Sequence, residues 1–83
     1  MFKLSAEGVK KAKMSIEEAI DKAREFLQRR GGYYNLLLQK VAYDETTGKW
    51  HVEFDIGILT PLILKVTIND ATGSIIDYER RTT

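Results

Sequence analysis

The sequence predicts an α+β domain in which one amphipathic helix lies across one face of a four-stranded antiparallel meander, the other face remaining wet. Apolar residues recur at three- and four-residue spacing from Ile16 to Leu27, and after Gly31-Gly32 the period drops to two. The chain of 83 residues, 43% hydrophobic and 30% charged with one proline, has the balance of a globular protein and room for a single core. Residues 1–83 are therefore read as one domain, with residues 15–81 its folded part and residues 1–14 a basic extension or short helix. A domain this small buries only about 60% of the surface of its unfolded chain, so few residues can be spared to line a pocket.

The helix begins where Ser15-Ile16-Glu17-Glu18 forms a capping box, the Ser15 hydroxyl accepting from the Glu18 N–H and the Glu18 carboxylate reaching back. Ile16, Ala19, Ile20, Ala23, Phe26 and Leu27 make its apolar stripe. Glu17, Glu18 and Asp21 suit the positive end of its dipole and Arg29 and Arg30 the negative end, with Gly31 as the left-handed stop. The helix is placed at residues 16–30. Upstream, the acid-to-base polarity of Ser5, Glu7, Lys10, Lys11 and Lys13 has the pattern of a shorter helix weakened by Gly8.

Trp50, Val52, Phe54 and Ile56 alternate with polar residues, as do Leu62, Leu64, Val66 and Ile68. Pairing Ile56 with Leu62 sets Phe54 against Leu64, Val52 against Val66 and Trp50 against Ile68, one register that satisfies both faces. The turn Asp70-Ala71-Thr72-Gly73, with Gly73 left-handed, closes Asp70 on Ser74 and sets Ile68 against Ile76 and Val66 against Tyr78. A further strand runs from Tyr33 to Tyr43, where Leu36-Leu37-Leu38 is apolar on both faces, which leaves the register open and admits a bulge. Trp50, Phe54, Val66 and Ile20 are the expected centre of the core.

Ser15-Ile16-Glu17-Glu18-Ala19-Ile20-Asp21-Lys22-Ala23 looks like the capped opening helix of the PepSY family, a resemblance that covers residues 15–79, and Lys49-Trp50-His51-Val52-Glu53-Phe54 resembles the family's strand after an acidic, glycine-containing turn. Val66-Thr67-Ile68-Asn69-Asp70-Ala71-Thr72-Gly73-Ser74-Ile75-Ile76 is similar to its closing strand, turn and strand. The resemblance implies a helix followed by an antiparallel sheet, related to cystatin-like folds. It also implies an inhibitory or protein-binding role, such as that proposed for the propeptides of thermolysin-like metallopeptidases, and supplies no catalytic residue.

Chemistry of other kinds finds little support in the residues. Without cysteine and with one histidine, neither a nucleophilic triad nor a zinc tetrad can be assembled, so no enzyme, metal site or cofactor is expected. His51, Glu53 and Asp55 share a strand face, where a solvated charge row of Glu53, Lys65 and Glu79 is the stronger reading. Asp44, Glu45 and Asp70 lie in turns that lack the ligand spacing of a calcium loop, and turn chemistry accounts for them. Residues 1–40 carry nine Lys/Arg against five acids and residues 41–83 four against seven, poles of +4 and −3 in a chain of net charge +1. Lys10, Lys11, Lys13, Arg29 and Arg30 are the candidates for an alternative role as a nucleic-acid accessory domain, although the charge is modest for one.

The best lead outside the resemblance is an apolar loop. Ile58, Leu59, Pro61 and Ile63 occupy a connection that polar residues would ordinarily fill, either as a lid on the core or as a contact surface for another protein or a second copy. The sequence-level expectation is a small, non-catalytic, cytoplasmic protein-binding module. No apolar stretch is long enough for a signal-peptide core or a membrane span. Two Asn, two Gln and no Cys among many Lys and Glu add the compositional bias of heat-adapted proteins.

Overall fold

The computed structural model describes residues 3–4 by their backbone, and residues 12–57 and 59–82 in full. Their order is β1 (Lys3–Leu4), α1 (Ile16–Gly31), β2 (Leu37–Asp44), β3 (Lys49–Asp55), β4 (Leu62–Asn69) and β5 (Ile75–Thr82). The four long strands form the expected antiparallel meander with α1 packed on one face. A fifth strand, β1, was not foreseen; it adds to the outer edge of β2 in parallel, Lys3 opposite Lys40 and Leu4 opposite Val41. The short helix expected upstream of Ser15 lies mostly outside the described residues, and Ala12 to Ser15 are not helical.

The helix starts as its sequence demands. Glu18 N donates to Ser15 Oγ at 3.1 Å and Ser15 N to Glu18 Oε1 at 3.4 Å, the reciprocal pair of a capping box. Its end is one residue later than expected. Gly31 remains helical and Gly32 takes the left-handed position at φ 66°, its N–H returning to the carbonyl of Gln28 at 3.1 Å.

The β3–β4 register is the expected one, with Trp50 opposite Ile68, Val52 opposite Val66 and Phe54 opposite Leu64. All six are fully buried under Ala19, Ala23 and Leu27 of the helix, with Ile20 partly buried against the same core. On the outer face Glu53 stands opposite Lys65, and Lys65 opposite Glu79. The Glu53 carboxylate nevertheless takes its hydrogen bond from Arg81, at 2.9 Å, which reaches diagonally over β4.

Two bulges revise the remaining registers. Strand β2 begins at Leu37, four residues later than expected, because Tyr33 to Leu36 carry the chain from the helix end back to the sheet. Between Leu38 and Lys40 its pairing slips by one residue. That slip resolves the triple leucine, since it lets Leu38 and Val41, of opposite parity, oppose the core residues Phe54 and Val52. The second slip falls between Thr67 and Ile68, so that Ile68 faces Ile75 and not Ile76 as expected. Ile75 is thereby drawn partly into the core, and Ile76 is left 45% exposed at the sheet edge.

Candidate functional site

The β3–β4 connection is held rigidly at both ends. Asp55 Oδ1 accepts from Gly57 N at 2.8 Å and Leu62 N at 3.2 Å, while Ile56 N donates to Leu62 O at 3.0 Å. Asp55, grouped by sequence with the solvated strand face, is thus the brace of the loop. Gly57 has no room for a side chain: a Cβ there would collide with the backbone carbonyl of Thr60 and lie 2.8 Å from Leu62 N. Backbone cannot yield as a flexible side chain can, so Gly57→Ala should break this closure and cost about 1–3 kcal/mol. Thermal unfolding of the variant checks it; an unchanged midpoint would mean that the loop closes some other way.

On this frame Leu59 stands 96% exposed and Pro61 is exposed beside it. Ile56 and Leu62 are half-buried, and together with Leu59, Thr60, Arg80 and Thr82 they border an open depression of about 400 Å³. Ile58 lies outside the described residues. Ile63 does not join the patch. It sits on the outer sheet face between Asp55 of β3 and Arg81 of β5 and is only 8% exposed, because the strand resumes at Leu62 and period two turns Ile63 away from the loop surface.

Of the basic residues in the alternative reading, the three that are described are not brought together. Lys10 and Lys11 lie outside the described residues, Lys13 precedes the N-terminus of α1, and Arg29 and Arg30 stand at its far end. A helix of 16 residues, about 24 Å long, lies between Lys13 and the end that carries Arg29 and Arg30. Arg29 pairs with Glu25 at 2.8 Å, and the Arg30 guanidinium lies 5.8 Å from the centre of the Phe26 ring.

The side chain with the densest polar contacts is one that sequence reasoning treated as a turn residue. Asp70 is 6% exposed; its Oδ2 accepts from Lys13 N at 2.7 Å, and its Oδ1 from Met14 N and from the Trp50 indole N–H, each at 2.9 Å. Burial pushes its carboxyl upward, but the Lys13 and Met14 N–H groups, the Trp50 indole and the Lys13 charge outweigh it and hold the pKa below the usual range. It can turn inward because Asn69 does the work of the turn: Asn69 Oδ1 accepts from Ala71 N at 2.9 Å, and Asn69 N donates to Ser74 O at 2.8 Å. The hairpin therefore closes on Asn69, not on Asp70 as expected, with Gly73 at φ 75° in the left-handed position as expected. Asp44 plays the part of Asn69 in the sister turn, its Oδ1 accepting from Thr46 N at 3.0 Å. Asp70 therefore joins the approach to the helix, the core tryptophan and the β4–β5 turn, which is a structural assignment.

His51 contacts Thr67 Oγ1 through Nδ1 at 3.4 Å. Burial first, then Lys65 and Lys40, holds its imidazole below the ordinary range against the opposing pull of Asp44 and Glu53. Among the described residues no group of three or more His, Asp or Glu side chains is placed to hold a metal ion, and no helix is long and apolar enough to cross a membrane. Besides the depression at Leu59 the surface carries two shallow hollows along the helix side of β5. One of about 320 Å³ is lined by Phe26, Arg30, Ile76 and Tyr78, and one of about 230 Å³ by Lys22, Arg29 and Gly73. Comparison with known proteins gives no match: no family model, no curated protein and no solved structure is similar to this chain.

Proposed function

We propose that the chain is a small, non-catalytic protein-binding module of PepSY type that meets its partner through residues 57–62. One observation carries the reading: a leucine exposed over 96% of its surface at the tip of a loop whose two ends are pinned by one carboxylate. A mobile loop would lose conformational freedom on binding, whereas a braced one presents its apolar side chain already ordered. Leu59 makes no contribution to the core cluster, so its exposure serves no folding purpose. The residues from Ser15 to Glu79 that resemble the PepSY family supply the second support, since that family's proposed roles are inhibitory or protein-binding.

The test is capture of partners by the wild-type chain and by Leu59→Asp from the same extract. Leu59→Asp should unfold within a few degrees of wild type, because the replaced side chain is already in water. A partner retained by wild type and lost by the variant is the expected result. Equal retention by both would remove the loop from the interface, and a large fall in the unfolding midpoint would make it a lid on the core.

A further inference from the structure

Strand β5 ends the sheet, and among the described residues nothing pairs with its outer edge. Eight residues of unpaired backbone form a template for another strand unless they are blunted by charge or bending. The charges of this edge have a pattern, however. Asp77, Glu79 and Arg81 point to the outer face, opposite Thr67, Lys65 and Ile63. Tyr78, Arg80 and Thr82 point to the helix face, opposite Val66, Leu64 and Leu62. At one end of the edge stands Ile76, 45% exposed beside Phe26 and Tyr78; at the other lies the depression bordered by Leu59, Leu62, Arg80 and Thr82.

We infer that β5 pairs antiparallel with β5 of a second copy of this chain about a two-fold axis through Glu79. The proposal rests on the protein-binding reading above and names the partner. A two-fold axis perpendicular to the sheet keeps the two helix faces on one side, so residues opposite each other must share a face and their numbers must sum to an even value. Centring on Glu79 satisfies the charges and the apolar residues together. It sets Asp77 against Arg81 of the second copy, twice over, as opposite charges on neighbouring strands, the Arg81 guanidinium then serving both Asp77 and Glu53 of its own chain. The same register sets Ile76 against Thr82 of the second copy, so the exposed isoleucine of each copy comes to the border of the apolar depression of the other. Tyr78 faces Arg80, a pair of ring and guanidinium. The two Glu79 carboxylates meet at the axis, each with a Lys65 opposite it on its own β4. Shifting the centre to Tyr78 would face Asp77 with Glu79, and shifting it to Arg80 would pair Glu79 with Arg81 but set the two Arg80 side chains together and carry Ile76 two residues past Thr82, away from the depression. The pairing also joins two sheets into one and closes the free edge, a form of strand addition in which each copy serves as the peptide for the other.

The chain has no cysteine, which makes the axis directly measurable. Residues facing each other across antiparallel strands have Cα separations that a disulfide can span. Sedimentation of the wild-type chain from micromolar to millimolar concentration should show a monomer–dimer equilibrium. Under mild oxidation Glu79→Cys should cross-link to a covalent dimer, whereas Asp77→Cys alone should not, and an equal mixture of Asp77→Cys with Arg81→Cys should. Asp77→Arg and Arg81→Asp should each weaken association about tenfold or more by facing like charges, and mixing the two should restore it, since both pairs become complementary in the mixed dimer. A chain that stays monomeric at millimolar concentration overturns the proposal, as does a dimer in which Asp77→Cys cross-links as readily as Glu79→Cys. Either result leaves the loop's role standing if capture of another protein still depends on Leu59. Loss of that dependence with an intact cross-linked dimer sinks the loop and leaves the strand pairing.

Discussion

Asp70→Ala is expected to lower the stability of the domain by about 3–5 kcal/mol, a large share of the roughly 5–15 kcal/mol that holds such a domain together. Three donors would lose their acceptor at once: the backbone N–H groups of Lys13 and Met14 and the Trp50 indole. Each buried donor left without a partner costs about 1–3 kcal/mol, which applies to Met14 N and the Trp50 indole, whereas Lys13 N is only partly buried and loses less. Asp70→Asn tests the charge separately. Its single carbonyl oxygen cannot replace two carboxylate oxygens, and its amide N–H would face a donor, so it too should be less stable than wild type, though less severely. The two variants should also differ from wild type in acid. The folded-state pKa of Asp70 lies below its unfolded value, so its stabilisation is fully present above about pH 4 and is lost as the pH falls through the lower, folded value. Wild type should therefore lose stability more steeply on acidification than Asp70→Asn, and urea unfolding followed from neutral pH downward measures it. Parallel acid limbs would show that Asp70 is not the group that titrates.

Phe54→Ala is expected to cost a similar amount, about 3–5 kcal/mol, by a different route. The ring is fully buried between Leu64 on β4 and Leu38 on β2, and the Arg24 guanidinium lies 5.6 Å from its centre. Deleting it leaves a cavity at the middle of a single-layer core that the helix can fill only by tilting. Urea unfolding should show a midpoint far below that of wild type, or no folded baseline at all. A near-native midpoint would contradict the placement of Phe54. The two losses are separable: the Phe54 variant should show no altered acid limb, because no titrating group is moved.

The parts of this molecule that were legible in its sequence are those set by neighbours in the chain. The capping box at Ser15 and Glu18 is complete within four residues, and the β3–β4 register follows from two alternating runs joined by a short loop. The register of β5 was misread at its start because a one-residue slip between Thr67 and Ile68 depends on which isoleucine the helix can cover, a question of packing and not of alternation. Ile63 was grouped with the loop because it is close in sequence, although the pleat carries it to the opposite face. Asp70 was hidden for a related reason. An aspartate beside an asparagine in a turn looks like turn chemistry, and its real partners are backbone groups 56 and 57 residues away, which no residue type announces. For Leu59 the sequence left a lid and a contact surface equally open, since its 96% exposure depends on how the loop closes, and its brace, Asp55, was read as surface charge.

The Asp70 clasp has a kinetic meaning as well. Each long strand pairs with the next along the chain, so the meander can assemble by closing short loops, whereas the clasp and the β1–β2 pairing must close much longer ones. Contacts of that span carry the larger loop-closure cost and are expected to form after the shorter ones. An interaction absent from the transition state slows escape from the native state without hastening arrival there. Asp70→Ala is accordingly expected to speed unfolding more than it slows folding, as removal of a latch on the lifetime of the helix against the sheet would, and stopped-flow unfolding and refolding rates check it.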